Sequence, residues 1–297
     1  MADGQAVTVI SPGSVAGTGE TGSFPFEAFD ARCLAQGDSW FSIGAFPPAF
    51  TTSVLVETKL TKNVVAVNCA RPGKVLQHMT STTSDPAFVR LITGPLAFTW
   101  GAILISGGGN DLIDAARLGP GEPPDLRLLA RPDERGAGPL AGDDYISNTG
   151  WATFVNHMSF VFGQLVDLRD SGINKGVPLL LHTYAHVMPR PAPAGFGFGP
   201  WLQPAMLAFA IPPDDWMAVS AALMDRLAVL FQQLIAARRA LEPDCALHLV
   251  DTRAAALVPG DPASAGSSGD FVNEIHPTRG GYAKVGAVWR QALDPLL

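Results

Sequence analysis

Five short apolar runs punctuate the chain, and each ends in turn chemistry. They are "ARCLAQG" (31–37), "NVVAVNCA" (63–70), "GAILISGGG" (101–109), "VPLLLHTYAHV" (177–187) and "ALHLVDTR" (246–253). None alternates strictly between apolar and polar residues. Strands read this way when helices cover both faces of a parallel sheet. Helical patterns fill the intervals. "DPAFVRLIT" (85–93) opens with Asp85 as a candidate N-cap and Pro86 in the first turn. Residues 150–171 carry Phe154, Met158, Val161, Phe162, Leu165 and Leu168 at helical spacing, and residues 213–241 carry Met217, Leu223, Leu227, Leu230, Leu234 and Leu241. A last helix is expected from about Pro277 to Leu293. This alternation predicts an α/β fold, a three-layer α/β/α sandwich.

The 297 residues suffice for one substantial α/β domain. Residues 1–29, rich in Gly, Ser, Thr and Pro, read as an N-terminal extension outside the core. Residues 30–297 then form a single domain. Two segments exceed a minimal sandwich, 117–143 and 188–213. Both lack a clear period and both follow strand ends, where long loops of a parallel sheet build binding sites.

Charge and composition narrow the function. The net charge is −7 and no basic run occurs, which argues against a nucleic-acid partner. No 18 uninterrupted apolar residues occur, so no membrane span is expected. Residues 1–10 lack the basic start and full apolar core of a secretory signal. That favours a cytoplasmic protein, or an exported one whose signal was removed before Met1. Oligomeric state is open. Cys33, Cys69 and Cys245 are far apart and odd in number, and read as small core residues. No metal or other cofactor is expected. His182 and His186 are spaced i, i+4, which shares a face only on a helix, and they fall at a strand end. His78, His157 and His248 read as structural.

Ligands of open parallel sheets bind beyond the carboxyl ends of the strands, and Ser39 lies just past the first. From "GDS" alone, a helix N-cap competes with a presented nucleophile. The other strand ends bear on the choice. They read "NCARPG" (68–73) and "GGND" (108–111), and "NEIHP" (273–277) comes near the C-terminus. A nucleophilic serine needs a base, which His276 can supply. An oxyanion needs fixed donors, which a glycine N–H and an asparagine amide can supply.

Together these segments resemble the GDSL, or SGNH, hydrolase family. Gly37-Asp38-Ser39 matches the first block, with Trp40 where Leu is common. Asn68 and Gly73 match the NxGxxG block, with Ala70 replacing the middle Gly. Gly108, Gly109, Asn110 and Asp111 match GxND, and His276 and Pro277 match the end of DxxHP. The resemblance covers roughly residues 31–293. It implies a flavodoxin-like five-stranded parallel sheet of order 2-1-3-4-5 and hydrolysis of carboxylic esters through a covalent acyl-enzyme. It makes Ser39 the nucleophile and His276 the base, with the Ser39 N–H, Gly73 and Asn110 as the oxyanion hole. Gly73 otherwise reads as a plain turn, and Asn110 as a cap for a helix from about Leu112. The same residues would also suit an acyltransferase, and the fold without turnover would suit a binding module.

One departure stands out. The family's acid position, three residues before the histidine, holds Asn273. In serine proteases an Asp-to-Asn change costs about 10⁴ in kcat, largely through the wrong imidazole tautomer, whereas Cys-His-Asn proteases use Asn naturally. The family's offset makes Asn273 the expected partner of His276 Nδ1, and Glu274 and Asp270 are the nearby carboxylates that could act instead. For the small-molecule ester, the apolar residues Phe196, Phe198, Trp201, Leu202, Met206, Leu207 and Phe209 lie in the second insertion, and Trp40, Phe41, Phe46 and Phe50 follow the serine. Trp40, Phe198 and Trp201 are the candidate substrate contacts, a rim suited to an acyl chain or aryl ester.

Overall fold

The computed structural model describes residues 4–15, 24–42, 52–94, 97–195 and 197–297. Phe46, Phe50 and Phe196 lie outside them. The strands are β1 (Gln5–Ala6), β2 (Thr8–Ile10), β3 (Ala31–Gly37), β4 (Lys59–Leu60), β5 (Val64–Asn68), β6 (Ala102–Ser106), β7 (Leu179–His182) and β8 (Leu247–Val250). The helices are α1 (Val54–Glu57), α2 (Leu76–Met79), α3 (Pro86–Ile92), α4 (Gly109–Ala116), α5 (Asn148–Asp170), α6 (Gln203–Ala208), α7 (Trp216–Leu241) and α8 (Arg279–Leu293).

Six strands form one parallel sheet in the order β2-β5-β3-β6-β7-β8. The five strands read from the apolar runs keep the order 2-1-3-4-5. The central strands β6 and β7 are buried at every position. Helices cover both faces: α1 packs on α8, while α2, α3 and α7 pack on α5. Continuous burial on two faces explains why these strands show no polar alternation.

The N-terminal segment departs from the expectation of an extension outside the core. β2 pairs in parallel with β5, Val9 opposite Ala66, and β1 pairs with β4 in a small antiparallel ribbon. Three strand residues in a Gly- and Ser-rich context are too short a signal to read, yet the edge of β5 offers them unpaired main-chain groups. Asp85 also differs. It stands at the N-cap of α3 but makes no capping bond. Its carboxylate instead accepts Gln36 Nε2 at 2.5 Å and forms a buried ion pair with Lys74.

The segment Pro213–Leu241, which contains α7, is long and apolar enough to cross a membrane by length and composition. Half of that window is packed inside the domain. Val219, Leu223, Leu227 and Phe231 supply its buried face.

The site depends on how closely β3 and β6 approach at their carboxyl ends. A Cβ on Gly37 would meet Ser106 Cβ at 2.6 Å and its carbonyl oxygen at 2.7 Å. Glycine lets the chain turn there and Asp38 N–H bond Ser106 O at 3.0 Å. Gly37→Ala should therefore cost about 1–3 kcal/mol, as overpacking of a close-packed core does. Urea denaturation should show a lower midpoint at unchanged slope; a wild-type midpoint would show that the two strands have room to part.

Candidate active site

Just beyond β3 the chain makes one helical turn. Phe41 N–H and Ser42 N–H both return to Asp38 O, and Trp40 N–H is capped by Asp38 Oδ1 at 2.9 Å. This leaves Ser39 at the head of the turn, its own N–H without a partner among the described residues. Its Oγ lies 2.7 Å from His276 Nε2. His276 comes from the loop before α8 and stands 237 positions away in sequence. The ring's other nitrogen, Nδ1, lies 3.0 Å from Asn273 Oδ1.

The same Asn273 oxygen accepts His276 N–H at 2.9 Å and Ile275 N–H at 3.1 Å. Two main-chain donors fix which end of the amide faces the ring, because the NH₂ end would place donor against donor. His276 Nδ1 must then be the donor, and Nε2 is left as an acceptor for the Ser39 hydroxyl. Among the described residues, no carboxylate contacts the imidazole. Burial holds the His276 pKa down at about 4, from an ordinary 6.5.

The two alternative acids are engaged elsewhere. Glu274 is fully buried and accepts main-chain N–H groups from Trp201, Leu202, Gln203 and Arg190. Asp270 accepts Val258 N–H at 2.7 Å and pairs with Lys284 Nζ at 2.6 Å.

Gly73 occupies the third position of the turn Arg71-Pro72-Gly73-Lys74, closed by Lys74 N–H to Arg71 O. Its φ of +74° is the left-handed value that a proline-glycine type II turn requires. Arg71 N–H bonds Gly37 O at 2.9 Å, so this turn is tied to the end of β3. Asn110 opens α4, which starts at Gly109 rather than Leu112, and its Nδ2 donates to Lys74 O at 3.0 Å. Ser39 and Asn110 line one narrow recess with Trp40, Ile113, Tyr184, Val187, Met224 and Ile275. Gly73 is exposed at the turn and does not line that recess.

Trp40 differs from the expectation of an open rim. It is 3% exposed and packs edge-on against Tyr184 and Tyr282. Trp201 is half-buried, with its ring centroid 5.2 Å from that of His276 in an edge-to-face arrangement. Phe198 is 56% exposed, in a turn where its N–H bonds Gly195 O. Leu202, Met206 and Phe209 turn inward to the core, and Leu207 outward.

A buried polar chain under the serine escaped the sequence reading. Asp38 Oδ1 accepts Ser106 Oγ–H at 2.7 Å, and Oδ2 accepts the Tyr184 hydroxyl. His182 Nε2 then donates to Ser106 Oγ at 2.7 Å. Burial raises Asp38 to about 6 despite these bonds, and it lowers His182 to about 3, so that ring is neutral. The visible signal was polar residues inside otherwise apolar strand ends, "LIS" and "LLLHTY". The cysteines are buried and free, and burial pushes the Cys33 and Cys69 thiols up to about 12.

No family model and no curated protein matches the chain. Among solved structures, the chain is similar to an extracellular lipase from Streptomyces rimosus at 14% identity and TM-score 0.47, covering 90% of this chain and 100% of the lipase. A catalytic mutant of an acetylxylan esterase from Geobacillus stearothermophilus follows at 12% and 0.46, covering 88% and 93%. A carbohydrate acetylesterase from Sinorhizobium meliloti gives 10% and 0.46, covering 90% and 100%.

The neutral partner of His276 has a measurable consequence. An adjacent carboxylate favours the imidazolium, so Asn273→Asp should raise the pKa of His276. NMR titration of the His276 ring should give a midpoint near 4 in the parent chain and a clearly higher one in the variant. Equal midpoints would mean that position 273 does not face Nδ1.

Proposed function

We propose that the chain is a serine hydrolase of carboxylic esters. The observation that carries this reading is the Ser39–His276–Asn273 line, with Ser39 Oγ 2.7 Å from an imidazole nitrogen that can only accept. A serine hydroxyl is a weak nucleophile until a base within hydrogen-bond reach takes its proton. His276 Nε2 takes it as Ser39 Oγ bonds the substrate carbonyl carbon. The carbonyl oxygen becomes an oxyanion, for which the Ser39 N–H and Asn110 Nδ2 beside the recess are the donors. Collapse breaks the ester C–O bond, and His276 returns the proton to the departing alcohol. Water, deprotonated by the same nitrogen, then adds to the acyl carbon; the C–O bond to Ser39 breaks, His276 returns the proton to Ser39 Oγ, and the acid departs.

Asn273 is compatible with this cycle. The large loss from Asp-to-Asn in serine proteases arises mainly from the wrong tautomer. Here the Ile275 and His276 N–H groups hold the amide oxygen toward the ring. The correct tautomer survives, and only the charge that would stabilise the imidazolium is absent. A low His276 pKa keeps the base unprotonated well below neutral pH.

The recess beside Ser39 favours a small acyl group. Its cavity volume is about 20 Å³, room for one water or one methyl group on the scale of roughly 10–15 Å³ per water. Trp201 and Phe198 lie on the insertion and would meet the alcohol portion instead.

With p-nitrophenyl acetate, butyrate and octanoate, kcat/KM should fall along the series, by about tenfold or more overall, equivalent to ~1.4 kcal/mol. A preference for octanoate would refute the small acyl pocket. Ser39→Ala should abolish turnover, and Asn110→Ala should lower kcat by about 10²–10³, the effect of deleting one oxyanion donor. A Ser39→Ala enzyme retaining a tenth of the parent kcat would remove Ser39 from the role.

A further inference from the structure

The second insertion is fastened to the histidine loop by two buried residues of opposite charge. Glu274 accepts four main-chain N–H groups of the insertion: Leu202 at 2.9 Å, Gln203 at 2.7 Å, Arg190 at 3.2 Å, and Trp201. Its own N–H donates to Ala192 O at 2.9 Å. In the reverse direction Arg190, also fully buried, donates to Asn273 O at 2.7 Å and to the carbonyls of Phe271, Ser264 and Gly266. Burying two such charges is costly, and an apolar pair of similar volume is often as stable or more so. What the charged pair supplies is geometry. The four N–H groups include that of Trp201, whose ring stands edge-on to His276 at 5.2 Å.

We propose that Glu274 is a positioning residue that seats the Trp201 ring against His276 and so excludes water from the base. The inference rests on His276 acting as the base. It also accounts for the carboxylate next to the acid position: Glu274 acts on the ring through Trp201, not through Nδ1. Burial is the cause that lowers His276, with no charge contributing. Among the described residues, the charged groups on the surrounding elements include Asp270 and Glu274 on its own loop, Arg279 and Lys284 on α8, Arg190 on the insertion and Asp38 beside Ser39, and none of them contributes to the His276 shift.

The sign of one substitution separates positioning from simple electrostatics. Burial raises the Glu274 pKa above its ordinary value, so the acid is largely protonated where His276 titrates, and by charge alone Glu274→Gln would leave the His276 midpoint unchanged or slightly lower. Releasing Trp201 hydrates the ring and raises it. NMR titration of His276 in Glu274→Gln, Trp201→Ala and the double variant should therefore show midpoints raised from about 4 toward 6.5. The double variant should rise no further than the larger single shift, because both changes remove the same cover. An unchanged or lowered midpoint in folded Glu274→Gln would overturn the proposal. If that variant does not fold, an unchanged midpoint in Trp201→Ala overturns it alone. The titration needs no substrate, so an inactive parent chain would count against the hydrolase reading while leaving this test intact.

Discussion

The side-chain oxygen of Asn273 accepts three N–H groups, and the candidate chemistry depends on that convergence. Two come from the main chain and cannot turn away. They set the amide, the amide sets the imidazole tautomer, and the tautomer leaves Nε2 facing Ser39 Oγ. Each bond is worth only about 1 kcal/mol net. Their effect on geometry exceeds their effect on stability, because a reversed amide would leave buried donors opposed. A carboxylate would accept the same three bonds in either orientation, and would add charge. Asn273 supplies the orientation without the charge.

Beneath the serine, burial dominates hydrogen bonding. Asp38 accepts Ser106, Tyr184 and the Trp40 N–H, yet its pKa still rises. Desolvation of a carboxylate inside a shell of Trp40, Tyr184 and His182 outweighs three donors. That network joins the ends of β3, β6 and β7 under one turn, so the position of Ser39 is set by three strands at once. Gly37 is the residue that lets β3 and β6 come close enough for it.

The fold was legible where burial on two faces leaves its mark. The apolar runs at 31–37, 63–70, 101–109, 177–187 and 246–253 all contain strands, and their order follows the family resemblance. β2 was not legible, because "TVI" gains its place from the open edge of β5 and not from its own pattern. Asp85 obeyed a capping pattern in sequence, but a buried Lys74 offered its carboxylate more than a helix N-terminus could. The candidates Ser39 and Asn110 stood in motifs at strand ends, and His276 in one before the last helix. The partner of His276 could not be derived from residue type, since Asn273, Glu274 and Asp270 lie within four positions and only loop geometry separates them. The cover over the ring was equally hidden, because Glu274 and Trp201 are 73 positions apart.

The central claim is that Ser39 is activated by His276 without a carboxylate. Diethyl p-nitrophenyl phosphate, which phosphorylates activated serines, followed by peptide mass mapping tests it most directly. The account predicts a single diethylphosphoryl adduct on Ser39 that does not form in His276→Ala. An adduct on another residue, or one on Ser39 that forms equally well without His276, would contradict it.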